Sequence, residues 1–549
     1  MSSPHDAASP FSLTRREKVF TIFGTLLGLL LAALDQTIVA TAGPVIQREL
    51  HVPPALYPWI TSAYLVASTV MVPIYGKLSD LYGRKPILLC GIVLFLLGSL
   101  ACGASTTTFA LLAARALQGF GSAALFTSAF AVVADIFPPA ERGRYQGIFG
   151  ACFALSSIVG PLVGGFLTDR LSWHWVFFVN LPLGAIAIAF VVAKMPLLRR
   201  PRVGRPSIDW TGAIALACAV LPALLAMSLG RSYGADPSKR PILVGLLAAS
   251  VAGLVLFLRI ERRAKEPILD LRLFSRRAFT IGNLATFVLG AAFLGAIVFL
   301  PLYMVNVIGL SATNAGLTVI PLTFGIVGGN ILSGQLVARF ARYKPLMVIS
   351  NVVLVVGMAL LGFTLRPDET EFGIGWRMVV LGLGLGPSIP LYTLAIQTAV
   401  EPRDLGVATA AATFFRQIGS TIGVTVLGVV FATSLGAGLA RNPPPPVLAA
   451  EVAQLGSGSA TEEGDSRMHV DVPRLSAILD ATIGDPAERA RAQGELLAWD
   501  RATKAAFTDA IAAIYKAGLV IAILGLLCTL ALPELPLRRS GERRVSAGE

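Results

Sequence analysis

Long apolar runs alternate with short polar connections along almost the whole chain. A bilayer core of roughly 30 Å takes about 20 residues of helix at about 1.5 Å per residue. Fourteen runs reach that length: 19–43, 56–76, 86–104, 108–134, 146–168, 174–194, 209–230, 241–259, 278–306, 314–338, 345–365, 375–398, 406–435 and 507–532. The pattern predicts an all-α integral membrane protein. The 54 glycines and 34 prolines recur inside the runs. Such residues allow close helix contact, and breaks that neighbouring helices re-satisfy.

Composition agrees. Charged residues make up 14% of the chain, against about 25% in soluble domains, and the mean hydropathy is +0.72. The net charge of +13 has a topological explanation. With the N-terminus inside, 28 Lys and Arg fall in cytoplasmic segments and six in short external loops, the asymmetry of the positive-inside rule. Both termini are therefore expected in the cytoplasm and the chain in the cell (inner) membrane. No soluble basic domain exists to bind nucleic acid. The first run follows Arg15, Arg16 and Lys18 and is too long for a cleavable signal, so it reads as a signal anchor. Five cysteines, all inside runs, and four histidines leave neither a disulfide scaffold nor a metal site in prospect. There is no phosphate-binding G-x-x-x-x-G-K-[ST] loop. No cofactor is expected, and an ion gradient must supply the energy.

The chain repeats itself. Gly76-Lys-Leu-Ser-Asp-Leu-Tyr-Gly-Arg84-Lys85-Pro86 is echoed 258 residues on by Gly334-Gln-Leu-Val-Ala-Arg-Phe-Ala-Arg342-Tyr-Lys344-Pro345, with one residue inserted. Ser157-Ile-Val-Gly160 returns as Ser420-Thr-Ile-Gly423. Two six-span halves in parallel relation, with two spans inserted between them, explain both echoes. In such transporters the substrate site lies at mid-depth between the halves. The expected units are a tail 1–18, a first bundle 19–194, basic linkers with two inserted spans 195–277, a second bundle 278–532 containing an external loop 436–506, and a tail 533–549. The loop is expected to become helical from about 484.

These residues resemble the major facilitator superfamily, in its 14-span drug:proton antiporter branch. Gly76–Pro86 matches the G-x-L-[SA]-D-x-x-G-R-[RK] signature at every defined position. Arg115-Ala-Leu-Gln118-Gly119-Phe-Gly121 matches R-x-x-Q-G-x-G. Gly147 through Gly160-Pro161-Leu-Val-Gly164-Gly165 matches the antiporter signature of span five. Leu34-Asp35-Gln-Thr37 resembles the first-span motif, with Ala40 and Gly43 where the branch usually has Asn and Leu. Trp173-His-Trp175-Val-Phe-Phe-Val-Asn180-Leu-Pro182 also fits the branch.

Asp35 lies ~12 Å inside the first run at the rise of a helix. A charged Asp at mid-bilayer costs about 2.5–3.5 kcal/mol on insertion scales, a cost that a proton or substrate pathway accounts for. The alternative is a structural acid capped at a helix break at Gly43-Pro44. Asp35 reads as isolated, because no other acid falls well inside a run. Arg115 lies at similar depth, placed to bias a neighbouring acid and to hold Gln118 or backbone carbonyls; the resemblance implies a part in proton coupling. Arg416, with Gln417, is the polar cluster of the second half, serving either coupling or a clamp between helices.

Asp80 can face the N-terminus of a second-half helix. The resemblance implies a gating role for Asp80, Arg84 and Lys85, with Gly76 and Gly83. Gly147, Gly160, Pro161, Gly164 and Gly165 are expected to let span five bend and approach its neighbours. Trp59, Phe126, Phe149, Phe153, Phe293, Tyr303, Tyr392 and Phe414 are candidate pocket-lining residues.

The expectation is a proton-coupled multidrug exporter, a monomer working by alternating access. Its partners would be small hydrophobic or cationic substrates, protons and the bilayer, and a periplasmic adaptor is compatible with it. Two alternatives stay open: an exporter of one native metabolite, such as an antibiotic or siderophore, and a lipid-handling or scaffold protein that works through 436–506. An intramembrane enzyme would need clustered acids, His or Cys at one depth.

Overall fold

The computed structural model describes residues 13–53, 56–57, 59–197, 209–234, 237–264, 266–309, 318–445, 472–483 and 485–537. Most of the two expected tails, the linker 198–208 and the stretch 446–471 of the external loop lie outside the described residues. Among the described residues there is no β-strand. Among the described residues, thirteen helices are long and apolar enough to cross a membrane. The ninth expected run is divided between two helices.

The first half comprises α1 (Arg15–Glu49), α2 (Trp59–Tyr82), α3 (Arg84–Gly103), α4 (Thr108–Ile136), α5 (Pro139–Arg170), α6 (His174–Phe178) and α7 (Asn180–Lys194). Thr14 and Glu17 start α1 with a reciprocal capping box: Thr14 Oγ1 accepts from the Glu17 amide at 3.3 Å, and Glu17 accepts from the Thr14 amide at 2.8 Å. The helix then runs through Gly43 and Pro44, so the helix break expected there is absent. A membrane helix can absorb the missing proline N–H through its neighbours. α3 and α4 cross at small residues. A Cβ added at Gly98 or Gly121 would overlap the backbone of the opposite helix, the close approach expected of packing in lipid.

Two inserted helices follow, α8 (Trp210–Gly234) and α9 (Arg240–Glu261). They pack on each other through Gly253, and the Ser250 hydroxyl donates to the Ala219 carbonyl at 2.7 Å. The second half has α10 (Arg277–Val298), α11 (Leu300–Asn306), α12 (Ile320–Phe340), α13 (Lys344–Thr364), α14 (Glu371–Leu385), α15 (Pro390–Thr398), α16 (Leu405–Arg441), α17 (Val472–Thr482) and α18 (Pro486–Ala531). At 46 residues, α18 is about 70 Å long at 1.5 Å per residue, more than twice a bilayer core. Its polar first part therefore projects beyond the membrane, and Trp499 Nε1 ties it to the Asn442 carbonyl at 3.2 Å.

The duplication is visible in backbone and side chains. Gly83 has φ +97°, and Ala341, 258 residues on, has φ +54°. Both sit where the chain turns between paired helices, in the left-handed region that costs a residue with a Cβ roughly 1–2 kcal/mol. Lys85 Nζ donates to the carbonyls of Val192 and Met195 at 2.9 and 2.6 Å, capping the end of α7. Lys344 Nζ donates to the Leu530 carbonyl at 3.0 Å, capping α18 in the same way.

Candidate functional site

Asp35 is fully buried, and it is not isolated. Arg115 Nη1 donates to its Oδ2 at 2.7 Å, while Gln118 Nε2 and Asn180 Nδ2 donate to its Oδ1 at 2.7 and 2.9 Å. α4 supplies Arg115 and Gln118 one turn apart, and Arg115 also donates to Gln118 Oε1 at 2.6 Å. Asn180 opens α7 and donates as well to Ser99 Oγ at 3.0 Å. Arg115 Nε donates to the Ile60 carbonyl at 2.9 Å, and its guanidinium lies 4.5 Å from the centre of the Tyr64 ring. Arg115 Nη2 and Asn180 Oδ1 remain without hydrogen-bond partners. Taking one partner from a buried ion pair costs about 3–5 kcal/mol, because the other charge is left uncompensated. The cluster therefore ties α1, α4 and α7 together. Depth along the run placed Asp35 and Arg115 together, but Tyr64, Ser99 and the role of Asn180 were missed. The backbone stays helical at Val179, where α6 meets α7, and nothing in hydropathy marks Asn180 as a partner of Asp35.

The Gly76–Pro86 loop meets the second half directly. Asp80 Oδ2 accepts from the Val407 amide at 3.1 Å, at the N-terminus of α16. Asp404, the N-cap residue of that helix, makes no side-chain capping bond, so a carboxylate from the other half caps it. Asp80 Oδ1 also pairs with Arg84 at 2.6 Å, and Arg84 reaches Asp135 Oδ2 at 2.6 Å and Ser79 Oγ. Asp135 closes α4 beneath this loop and was not foreseen, because it sits at a run's end and looks like an ordinary boundary charge. Gly76 and Gly406 are required here: a Cβ on Gly76 would overlap Ala410, and one on Gly406 would overlap the Asp80 carboxylate. The repeat carries Ala338 where the first loop has Asp80, so this inter-half cap belongs to the first loop alone.

Beside it, α5 packs on α12. Gly147 approaches the Asn330 backbone, and Gly143 lies against Gly334. Gln146 Nε2 donates to Gln397 Oε1 at 3.3 Å, and Gln397 donates to Thr409 Oγ1 at 2.9 Å, bridging the halves. Farther along α5, Gly160 and Gly164 let Thr37 and Ile38–Thr41 of α1 come close, while Gly165 meets nothing within 4 Å. The helix stays continuous through Pro161.

Several candidate lining residues are packed among other core side chains. Phe126 stacks on Phe153 with ring centres 5.3 Å apart, and Phe149 packs edge-on against Phe130. Tyr303 donates to the Arg366 carbonyl, and Tyr392 is bonded to Asn351 and Thr529. Phe126, Phe149, Tyr303 and Tyr392 are buried, and each tyrosine hydroxyl has the partner that a phenol inside a bundle needs. Trp59, Phe153 and Phe293 keep partial exposure. Phe414 lines an apolar cavity of about 470 Å³ between α8, α9 and α16. Arg416 and Gln417 also keep partial exposure, apart from the Asp35 cluster.

A bundle of long apolar helices with a buried ion-pair cluster at depth and an interlocked face between two repeated halves is a multi-pass membrane transporter. The chain belongs to the Major Facilitator Superfamily, whose family model matches residues 25–424. It is 38% identical over 414 residues to "Multidrug resistance protein 3" of Bacillus subtilis (strain 168), covering 75% of this chain and 79% of that protein. It is 37% identical to "Multidrug transporter protein MdtP" of the same organism, over 75% of each. The fold also resembles the solved proton:xylose symporter XylE, with a TM-score of 0.59 at 13% identity, covering 95% of this chain and 97% of that one.

Proposed function

We propose that this protein is a proton-coupled exporter of lipophilic, drug-like compounds, working by alternating access. The observation that carries the reading is the buried Asp35–Arg115 pair at 2.7 Å, held apart from the interlock between halves at Asp80. The names of the bacterial relatives support drug export, and positive-inside patterning supports a cytoplasmic location for the Asp80 face and both termini. With that orientation the conformation is closed toward the cytoplasm, because Asp80–Val407, Gln146–Gln397 and Gly143–Gly334 all join the halves on that side.

Coupling then follows from charge. Protonating Asp35 removes the anion that holds Arg115, Gln118 and Asn180 together, and frees α1 to move against α4 and α7. Losing the proton restores the cluster. Arg115 already compensates the charge of Asp35, so Asp35 gives no preference for a cation while the pair is closed.

The test is efflux in a drug-sensitive host and in proteoliposomes, with Asp80→Asn as the variant that disables alternation. Export by wild type that is lost in this variant supports the reading. Absence of any proton-dependent movement of lipophilic compounds by the wild-type protein overturns it.

A further inference from the structure

Each charged side chain deep in the first half has a partner: Asp35 with Arg115, and Arg84 with Asp80 and Asp135. The second half differs. Arg416 lies eleven residues past the start of α16, ~16 Å along it at helical rise, hence near mid-membrane. Among the described residues no acid, carbonyl or hydroxyl bonds to it. It is partly exposed, and the adjacent Gln417 has a buried Oε1 without a partner. An uncompensated Arg at the helix centre costs about 2.5–3.5 kcal/mol on insertion scales, and residues of this kind mark ion or substrate pathways.

Two registers show where these side chains sit. Seven residues make nearly two turns, so Arg416 shares a face with Thr409. Thr409 accepts from Gln397, which is bonded to Gln146 of the first half. Arg416 thus stands ~10 Å above that bridge at helical rise. Gln417 shares its face with Ala410, which meets Gly76 of the first half. Gln417 therefore stands over the closed junction between the halves, and Arg416 stands beside it, where its backbone packs on Gly290 of α10. A guanidinium donates five N–H groups in a planar fork matched to a carboxylate.

We propose that Arg416 forms a subsite for a carboxylate on the exported compound, so that amphiphilic organic acids are substrates of this protein. The proposal rests on the export reading and names a substrate class for it.

The test compares three probes sharing one apolar body: pyrenebutyrate, its methyl ester and pyrenebutylamine. Binding to the purified full-length protein at neutral pH is read by energy transfer from tryptophan to pyrene. Wild type should bind the carboxylate about tenfold tighter than the ester, the gain of one charge-assisted contact, and the amine more weakly than the ester. Arg416→Gln should bring the carboxylate down to the level of the ester, while Arg416→Lys should retain much of the preference. A monodisperse size-exclusion profile checks the fold of each variant. Equal binding of acid and ester by wild type, failure of the acid to bind, or equal losses of both probes in Arg416→Gln overturns the proposal. The two readings fail separately. Export of the ester without acid preference removes the anion subsite and leaves export standing. Acid preference in binding without movement of any probe removes export and leaves the subsite.

Discussion

Replacing Asp80 with Asn isolates the junction between halves from the stability of either half. The bond between Asp80 and Arg84 lies within the first half and is present whether or not the halves separate on this face. Arg84 also keeps Asp135 at 2.6 Å, so its buried charge stays compensated in the variant. What the latched state alone contains is the bond from the Val407 amide at 3.1 Å and the meeting of a carboxylate with the N-terminus of α16. A charged acceptor makes a bond worth about 1.5–3 kcal/mol against 0.5–1.5 for a neutral one. The helix end adds about 0.3–1 kcal/mol for an anion. The Asp80 side chain is 11% exposed, so screening by water is slight. Asn keeps the acceptor and loses the charge. The latched state should lose about 2 kcal/mol, which lowers its equilibrium constant about thirtyfold. Spin labels at Glu141→Cys in α5 and at the exposed Arg403→Cys before α16, with Cys90, Cys218 and Cys528 changed to Ala, report the separation on this face. The Asn variant should gain population at the longer distance, and Asp80→Glu should gain less. An unchanged distance distribution in Asp80→Asn would show that the cap does not bias alternation.

Three further outcomes follow. Gly406→Ala places a methyl on the Asp80 carboxylate and should open the same face as strongly as Asp80→Asn, measured with the same label pair; wild-type distances would refute the steric argument. Asn180→Leu removes a donor to Asp35 and to Ser99; thermal stability in detergent should fall by the equivalent of about 1–3 kcal/mol, and an unchanged melting temperature would contradict a structural share for Asn180. Asp35→Asn strands the Arg115 charge and should destabilise the protein by up to about 3–5 kcal/mol. The double change Asp35→Asn, Arg115→Gln should recover most of that stability without recovering proton coupling, and recovery of coupling would refute the role given to Asp35.

The chain's architecture is largely legible in its sequence. Bilayer thickness sets run length directly, and the repeated Gly76 and Gly334 loops mark the two halves. The placement of Asp80 before α16 could also be anticipated, since an acid in a turn is a natural cap for a helix end. Breaks within runs were harder. α1 is continuous through Pro44, whereas α14 ends before Gly386-Pro387-Ser388. In lipid, neighbouring helices decide which of these residues interrupts the hydrogen-bond ladder, and neighbours are invisible in one sequence. The same limit hid the company of Asp35. Ser99, Asn180 and Tyr64 come from three other helices and have no common spacing with it. Among the aromatic candidates, residue type does not tell a wall from a core: Phe414 lines a cavity, whereas Tyr392 is bonded to Asn351 and Thr529 inside the second bundle.

The central claim is that the charge on Asp35 couples protons to drug movement. Its most direct test is proton flux in proteoliposomes carrying a trapped pH-sensitive dye, started by an imposed gradient of an exported lipophilic compound. Wild type should move protons against the compound, Asp35→Glu should do so more slowly, and Asp35→Asn, alone or with Arg115→Gln, should move none. Proton exchange at the wild-type ratio in a folded Asp35→Asn variant would contradict the account and leave the buried pair a purely structural clamp.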